Sequence, residues 1–176
     1  AMVFRSKYYI KRVYESELYG AGVEVGGARV PFSETVVDLG VTLDGTLSWR
    51  PHIDAITKKF KMTMQGLRSF RPYTTVDLRT NLATALLFPR LDYCSLLLLG
   101  ASQEQKHRLQ VLQNSCVRYI FGLKRDESIT PYRTKLNWLC TDRRREYFAL
   151  TLIYKLLRVP GAPEYLLNLF EQRTSS

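Results

Sequence analysis

The hydrophobic period of this chain changes once, near Ser48, and that change constrains its fold more than any other feature. Before it, β-branched residues come in short runs: Val23-Glu24-Val25, Val36-Val37-Asp38-Leu39-Gly40-Val41-Thr42-Leu43, and Met2-Val3-Phe4 as a further candidate. Gly20, Gly22, Gly26-Gly27 and Asp44-Gly45 punctuate them, and runs bounded in this way read as strands. Gly26-Gly27 suits a hairpin turn between Glu24-Val25 and Ala28-Arg29-Val30. Pro31 belongs at a strand end, because it cannot donate to a ladder. A few short strands cannot bury a core alone, so this piece must lean on the rest of the fold or on further sequence.

From Ser48 onward apolar residues recur at three- and four-residue spacing. Ser48 is the expected cap of a helix whose stripe is Trp49, Ile53, Ile56, Phe60, Met64 and Leu67. Thr74 or Thr75 starts a second helix through Leu78, Leu82, Ala85 and Leu86, which Pro89 kinks or ends. Ser102 with Gln105 forms a capping-box pattern before a third helix. Its apolar face is Leu109, Leu112, Cys116, Tyr119 and Ile120, and Gly122 stands at its C-terminal cap. Thr141 or Asp142 opens a fourth through Phe148, Leu152, Ile153, Leu156 and Leu157, stopped by Pro160-Gly161; residues 163–170 form a short fifth. The expected fold is α+β, mostly α: a small antiparallel sheet or hairpin over residues 1–47, then a bundle of about five helices over residues 48–176.

Charge follows the same boundary. The chain carries a formal net charge of +10, yet residues 1–47 hold five basic and six acidic groups against 21 and 10 beyond. An excess confined to the helical part points to a polyanionic partner. The longest apolar run, Ser95 to Gly100, is far short of the ~20 residues needed to cross a bilayer, so no membrane partner is expected. Arg5, Lys7, Lys11 and Arg12 interrupt any signal-like stretch. Cys94, Cys116 and Cys140 are odd in number with no close pair. They read as buried, reduced thiols of an intracellular protein rather than metal ligands or disulfides.

No catalytic centre is visible. Two-metal chemistry needs converging carboxylates, and none of the seven aspartates forms an Asp-Asp or Asp-x-Asp pair. His52 and His107 lie on separate helices, with His52 read as a packing or backbone-bonding residue, and no phosphate-binding glycine loop precedes a helix. The expectation is therefore no catalytic residue, no metal site and no cofactor in this chain. Nucleic-acid binding fits better. Lys58, Lys59, Lys61, Arg68 and Arg71 cluster along the first helix, followed by Lys124, Arg125, Arg143, Arg144 and Arg145. Such residues neutralise phosphates without reading sequence. Each cluster alone would equally suit a solvated surface, and the triplet could instead pair with Glu146 or Asp142. Trp49, Trp138 and most of the other aromatic residues lie at core spacing, which suits packing better than base stacking.

One segment carries a family signature. Leu39-Gly40-Val41-Thr42-Leu43-Asp44 followed by Leu47-Ser48-Trp49-Arg50-Pro51-His52-Ile53 resembles the region after the catalytic motifs of non-LTR (LINE-type) retrotransposon reverse transcriptases, with the Jockey-like group closest. The resemblance continues at Leu91-Asp92-Tyr93-Cys94-Ser95, Leu112-Gln113-Asn114 with Arg118-Tyr119-Ile120, and Ile129-Thr130-Pro131. It extends through Leu136-Asn137-Trp138-Leu139 with Arg144-Arg145 to Ala162-Pro163-Glu164-Tyr165-Leu166. It implies that residues 1–47 end the polymerase palm, with Leu39 and Gly40 in the primer-grip hairpin, and that residues 48–176 form the helical thumb. The implied partners are an RNA template with a DNA primer, together with the remaining palm and fingers. Magnesium is implied only for that catalytic palm, whose Asp-Asp motif lies upstream in the family and is absent here, and the implied location is nuclear. The chain departs from the family at Val37-Asp38, where a basic and an aromatic residue are common. Lys58, Lys59, Lys61, Arg68 and Arg71 are the expected duplex-facing set. The alternative is a domesticated or isolated fragment that acts as a protein-interaction module, forming a homodimer through exposed strands.

Overall fold

A computed structural model describes residues 1–4, 6, 22–158, 160, 161 and 163–167. Arg5, Lys7, Lys11, Arg12, Gly20, Ala162 and the end of the expected fifth helix lie outside the described residues. The α+β, mostly α architecture is present, as two antiparallel hairpins followed by helices.

Strand β1 (Val23–Val25) pairs with β2 (Ala28–Val30), Val23 opposite Val30 and Val25 opposite Ala28. The turn has φ of 58° at Gly26 and 77° at Gly27, the two positive values that a tight hairpin demands. Met2-Val3-Phe4 is not a strand. The Ala1 ammonium instead donates to the Pro31 carbonyl at 2.6 Å, and Ser33 N donates to the Ala1 carbonyl at 2.8 Å. Pro31 has no N–H to extend a ladder along this connector.

Strand β3 (Thr35–Asp38) pairs with β4 (Val41–Asp44) in a separate sheet. The continuous run from 36 to 43 is thus broken at Leu39 and Gly40, whose φ values are 44° and 81°. A leucine there is strained by about 1–2 kcal/mol and is 85% exposed. The Tyr93 hydroxyl holds the turn by donating to the Leu39 carbonyl at 2.6 Å. Val41 is the buried residue of β4.

The Asp44 carboxylate fixes the passage into the helices, accepting from Ser48 N at 2.8 Å and from the Thr46 hydroxyl at 2.5 Å. Burial opposes ionisation of Asp44, but these hydrogen bonds prevail and hold its pKa below 3.8. With its N–H so held, and its carbonyl accepting from Gln105 Nε2 at 2.6 Å, Ser48 does not occupy the cap position. Trp49 does, at φ 62°, and helix α1 spans Arg50–Phe70 with Pro51 in its first turn. The predicted stripe is otherwise present: Ile53, Ile56, Phe60, Met64 and Leu67 are buried, and Trp49 packs against them.

A 3-10 turn (Arg71–Tyr73) leads to α2 (Val76–Leu86), capped by the Thr75 hydroxyl, which accepts from Leu78 N. Its buried side is Ala83, continued by Leu87, and the expected Leu82 is half-buried against the core, whereas the expected Leu78, Ala85 and Leu86 are exposed. Small Ala83 is the side chain that faces inward where α2 packs on the third long helix. Pro89 supplies no N–H to Ala85, so α2 stops at Leu86 and a short α3 (Phe88–Asp92) begins with Pro89 in its first turn. A second 3-10 turn (Ser95–Leu98) precedes α4 (Gln103–Phe121). Both hydrogen bonds of its capping box form, and Gly122 closes it at φ 74°. All five of its predicted apolar residues are buried.

Helix α5 (Thr130–Lys135), like α3, was not anticipated; both span fewer than two turns, too few to show a period. Helix α6 (Thr141–Arg158) is buried only at Thr141 and Arg145. Of its expected stripe, Phe148, Ile153 and Leu156 are half-buried, while Leu152 and Leu157 are exposed. Helix α7 (Glu164–Leu167) ends the described chain. No described helix is long and apolar enough to cross a membrane.

The strained turn gives a direct check. Leu39→Gly should raise stability by about 0.5–1 kcal/mol, read as a higher urea midpoint at unchanged slope; a lower midpoint would contradict the strain.

Candidate nucleic-acid interface

The apolar stripe of α1 decides where its cations point. At 100° per residue, Lys58, Lys61 and Arg68 fall within an arc of roughly 80° on one side of α1, running from opposite the stripe at Lys58 to its flank at Arg68. All three are exposed, and none forms an ion pair with a described residue. Lys59 lies on the other flank. Nearer the N-terminus, the same side of α1 is neutralised by residues of α4, Asp54 with Arg108 at 2.5 Å and Arg50 with Glu104 at 3.8 Å. Positive charge therefore accumulates towards the C-terminal end of α1.

There it meets the end of α4. Arg68, Arg71, Arg118 and Arg125 line one cleft of about 520 Å³, together with Tyr119, Gly122 and Leu123. Arg71 Nε donates to the Tyr119 carbonyl at 3.0 Å. Its guanidinium lies against Gly122, where any Cβ would overlap it. Arg118 donates to the carbonyls of Lys124 and Glu127, and Lys124 N donates to the Glu127 carboxylate at 2.6 Å. Arg118 was not among the predicted site residues. Its signal was an arginine in the last turn before a glycine cap, where guanidiniums meet carbonyls. Lys124 and Arg125 project from the exposed loop after α4.

The triplet Arg143-Arg144-Arg145, expected among the phosphate ligands, is occupied by carboxylates instead. Arg143 pairs with Glu146 at 2.7 Å on the surface, and that hydrogen bond raises its pKa. Arg144 grips Asp92 with both edges of its fork, Nε to the two oxygens at 2.8 and 3.0 Å and Nη2 at 2.6 Å. It also stacks on Phe88 and Phe148, with ring centroids 5.0 and 5.1 Å away. The hydrogen bond to Asp92 raises its pKa. Arg145 is 3% exposed and bonds Asp142 at 2.9 Å; burial pulls its pKa down against the pull of Asp142 and Asp92. The triplet ties α6 to α3 and to its own first turn.

Leu39 and Gly40 form the tip of the second hairpin, and Gly40 borders a groove of about 670 Å³ whose walls include Val37, His52, Lys59, Arg90 and Tyr93. Lys59 therefore belongs to this groove and not to the Lys58–Lys61–Arg68 row. His52 is buried, and its Nδ1 accepts from Thr42 N at 3.3 Å, which ties β4 to α1. Burial, and then the charge of Lys59, hold its pKa below the ordinary 6.5. His107 is exposed. Cys94, Cys116 and Cys140 are free. Only Cys116 is buried, with its pKa pushed up to about 12 by desolvation, whereas Cys94 and Cys140 are half-buried. Among the described residues no group of His, Cys, Asp and Glu is arranged to hold a metal ion. No protein-family model matches the chain, and no curated protein or solved structure matches it either.

Two outcomes follow from this geometry. Arg144→Lys loses the fork and the aromatic stacking, at a cost of about 2 kcal/mol, while duplex affinity stays unchanged; chemical denaturation and a binding titration on one preparation check both. For His52, the folded pKa lies below the unfolded value, so stability is constant above pH 6.5 and falls as the unfolded chain takes up its proton below it. His52→Asn should flatten that part of the pH profile of Tm, and parallel profiles would contradict it.

Proposed function

We propose that the chain is the palm-end and thumb portion of a LINE-type reverse transcriptase, holding an RNA–DNA template–primer duplex by its phosphates while a separate catalytic palm performs nucleotidyl transfer. The observation that carries this reading is the row Lys58, Lys61 and Arg68, free of carboxylate partners among the described residues and continuous with the four-arginine cleft. Unpaired cations on the outward side of a packed helix suit a regularly charged backbone, and they read no base sequence. The role of Leu39 and Gly40 at a primer terminus rests on the sequence resemblance, as do magnesium in the palm and a nuclear location. Lys58, Lys61, Arg68, Arg71, Lys124 and Arg125 are the proposed contacts; Arg143, Arg144 and Arg145 are withdrawn from the set and Lys59 is peripheral.

The hairpins favour a second reading. Val23, Val25, Val30, Val36 and Val37 are all exposed, and among the described residues each sheet has two strands, which leaves edges for pairing with another chain. A protein-interaction or dimerisation module would use these edges. Light scattering on a size-exclusion column separates the readings: a stable dimer without duplex affinity favours assembly, and a monomer that binds duplex favours the thumb.

Fluorescence anisotropy should show binding of an RNA–DNA hybrid at about 50 mM salt, weakening steeply as salt rises. Exchanging Lys58, Lys61 and Arg68 for glutamine should reduce the salt slope by about one per residue. Absence of binding at low salt, or an unchanged slope in the triple variant, would sink the proposal.

A further inference from the structure

We infer that the cleft formed by Arg68, Arg71, Arg118 and Arg125 is a fixed binding site for a single phosphate group. Four guanidiniums line one concavity with no carboxylate among its walls, and Glu127, in the adjoining loop, has its carboxylate engaged by Lys124 N. Like charges gathered in this way repel one another, and an anion between them relieves the repulsion.

Two of the four are locked before any ligand arrives. Arg71 is held through Nε by the Tyr119 carbonyl and seated on Gly122. Arg118 is held through Nη1 by the carbonyls of Lys124 and Glu127. An arginine has five N–H donors, so the Nη pair of Arg71 and the Nε and Nη2 of Arg118 remain for a ligand. The end of α4 would by itself repel an anion, because a helix C-terminus carries partial negative charge. Arg71, bonded to the Tyr119 carbonyl, and Arg118 on the last turn reverse that sign. A planar fork matches a tetrahedral oxyanion two oxygens at a time, and donors fixed in advance lose little freedom on binding. Gly122 thus has a second task besides its cap, since a Cβ there would displace the Arg71 guanidinium from this position.

The source of the phosphate rests on the duplex reading, whereas phosphate binding itself does not. Arg68 belongs both to the row on α1 and to the cleft, so the backbone phosphate caught here would set the register of the strand along α1.

Isothermal titration with inorganic phosphate tests the site. The result expected is one phosphate per chain, with no comparable effect from chloride at equal ionic strength. Arg71→Lys and Arg118→Lys keep the charge but lose the fork, and each should weaken phosphate binding about tenfold. Both residues also bond backbone carbonyls, Arg71 at the end of α4 and Arg118 in the loop after it, so Arg125→Gln serves as a second probe. Arg125 makes no hydrogen bond or ion pair among the described residues, so this variant should weaken phosphate binding with an unchanged circular dichroism spectrum. Equal responses to phosphate and chloride, or wild-type phosphate affinity in the folded variants, overturn the site. Phosphate binding without duplex binding supports the site and removes the duplex reading. Full duplex affinity in a folded variant that has lost phosphate overturns the anchoring role and leaves the duplex reading standing.

Discussion

The rest of this structure depends on the seam between α1 and α4. Ile53, Phe60 and Met64 from one helix and Leu109, Leu112 and Cys116 from the other belong to the same buried cluster. Polar contacts fix the seam at both ends. At one, Gln105 donates to the Ser48 carbonyl, and Asp54 and Arg50 pair with Arg108 and Glu104. At the other, Arg71 donates to the Tyr119 carbonyl. With rotation of α1 fixed in this way, the direction of its outward cations is fixed too. Burial of a large side chain such as Phe60 contributes on the order of 2–3 kcal/mol, whereas an exposed ion pair contributes at most about 1 kcal/mol. The apolar face therefore holds the cationic face in place, and the charges contribute little to stability themselves.

That division shows why counting charge overstates a binding surface. The excess beyond residue 48 is real, but its members do different work. Arg143, Arg144 and Arg145 satisfy Glu146, Asp92 and Asp142, and Arg108 and Arg50 join the seam. Asp92 and Arg144, both within segments that carry the family resemblance, turn out to be one bidentate pair. Lys58, Lys61, Arg68 and Arg125 remain free of ion pairs among the described residues. The partners of the triplet at Glu146 and Asp142 could be read from three-residue spacing on a helix. The partner of Arg144 lies 52 residues away, and nothing local announces it.

The same contrast separates the legible parts of the fold from the illegible ones. Helices α1 and α4 could be read because each has a full apolar stripe, and α4 has a complete capping box and a terminal glycine. The Gly26-Gly27 hairpin was equally plain. Helix α2 is legible only in part: Leu82 packs against the core as expected, but the helix has leucines on more than one side, and packing on α4 selects Ala83 over Leu78 and Leu86. In α6, Leu152 and Leu157 belong to the expected stripe and are exposed in the fold, because the helix packs chiefly through its first turns. The cap of α1 passed from Ser48 to Trp49 because Asp44 and Gln105 claim the backbone groups of Ser48, the second of them from a distant segment. The convergence of Arg68 and Arg71 with Arg118 likewise depends on how two helices end side by side.

The central claim is that one side of α1 and not the other meets the duplex, and lysine-reactivity footprinting tests it most directly. The protein is treated with an amine-acetylating reagent with and without an RNA–DNA hybrid, and modification at each lysine is read by mass spectrometry. Lys58 and Lys61 should be protected by the hybrid, while Lys59, adjacent in sequence but on the groove flank, and Lys135 on α5 keep their reactivity. Protection of Lys59 to the same degree as Lys58, or no protection of Lys58 and Lys61 under conditions where the hybrid is bound, would contradict the account.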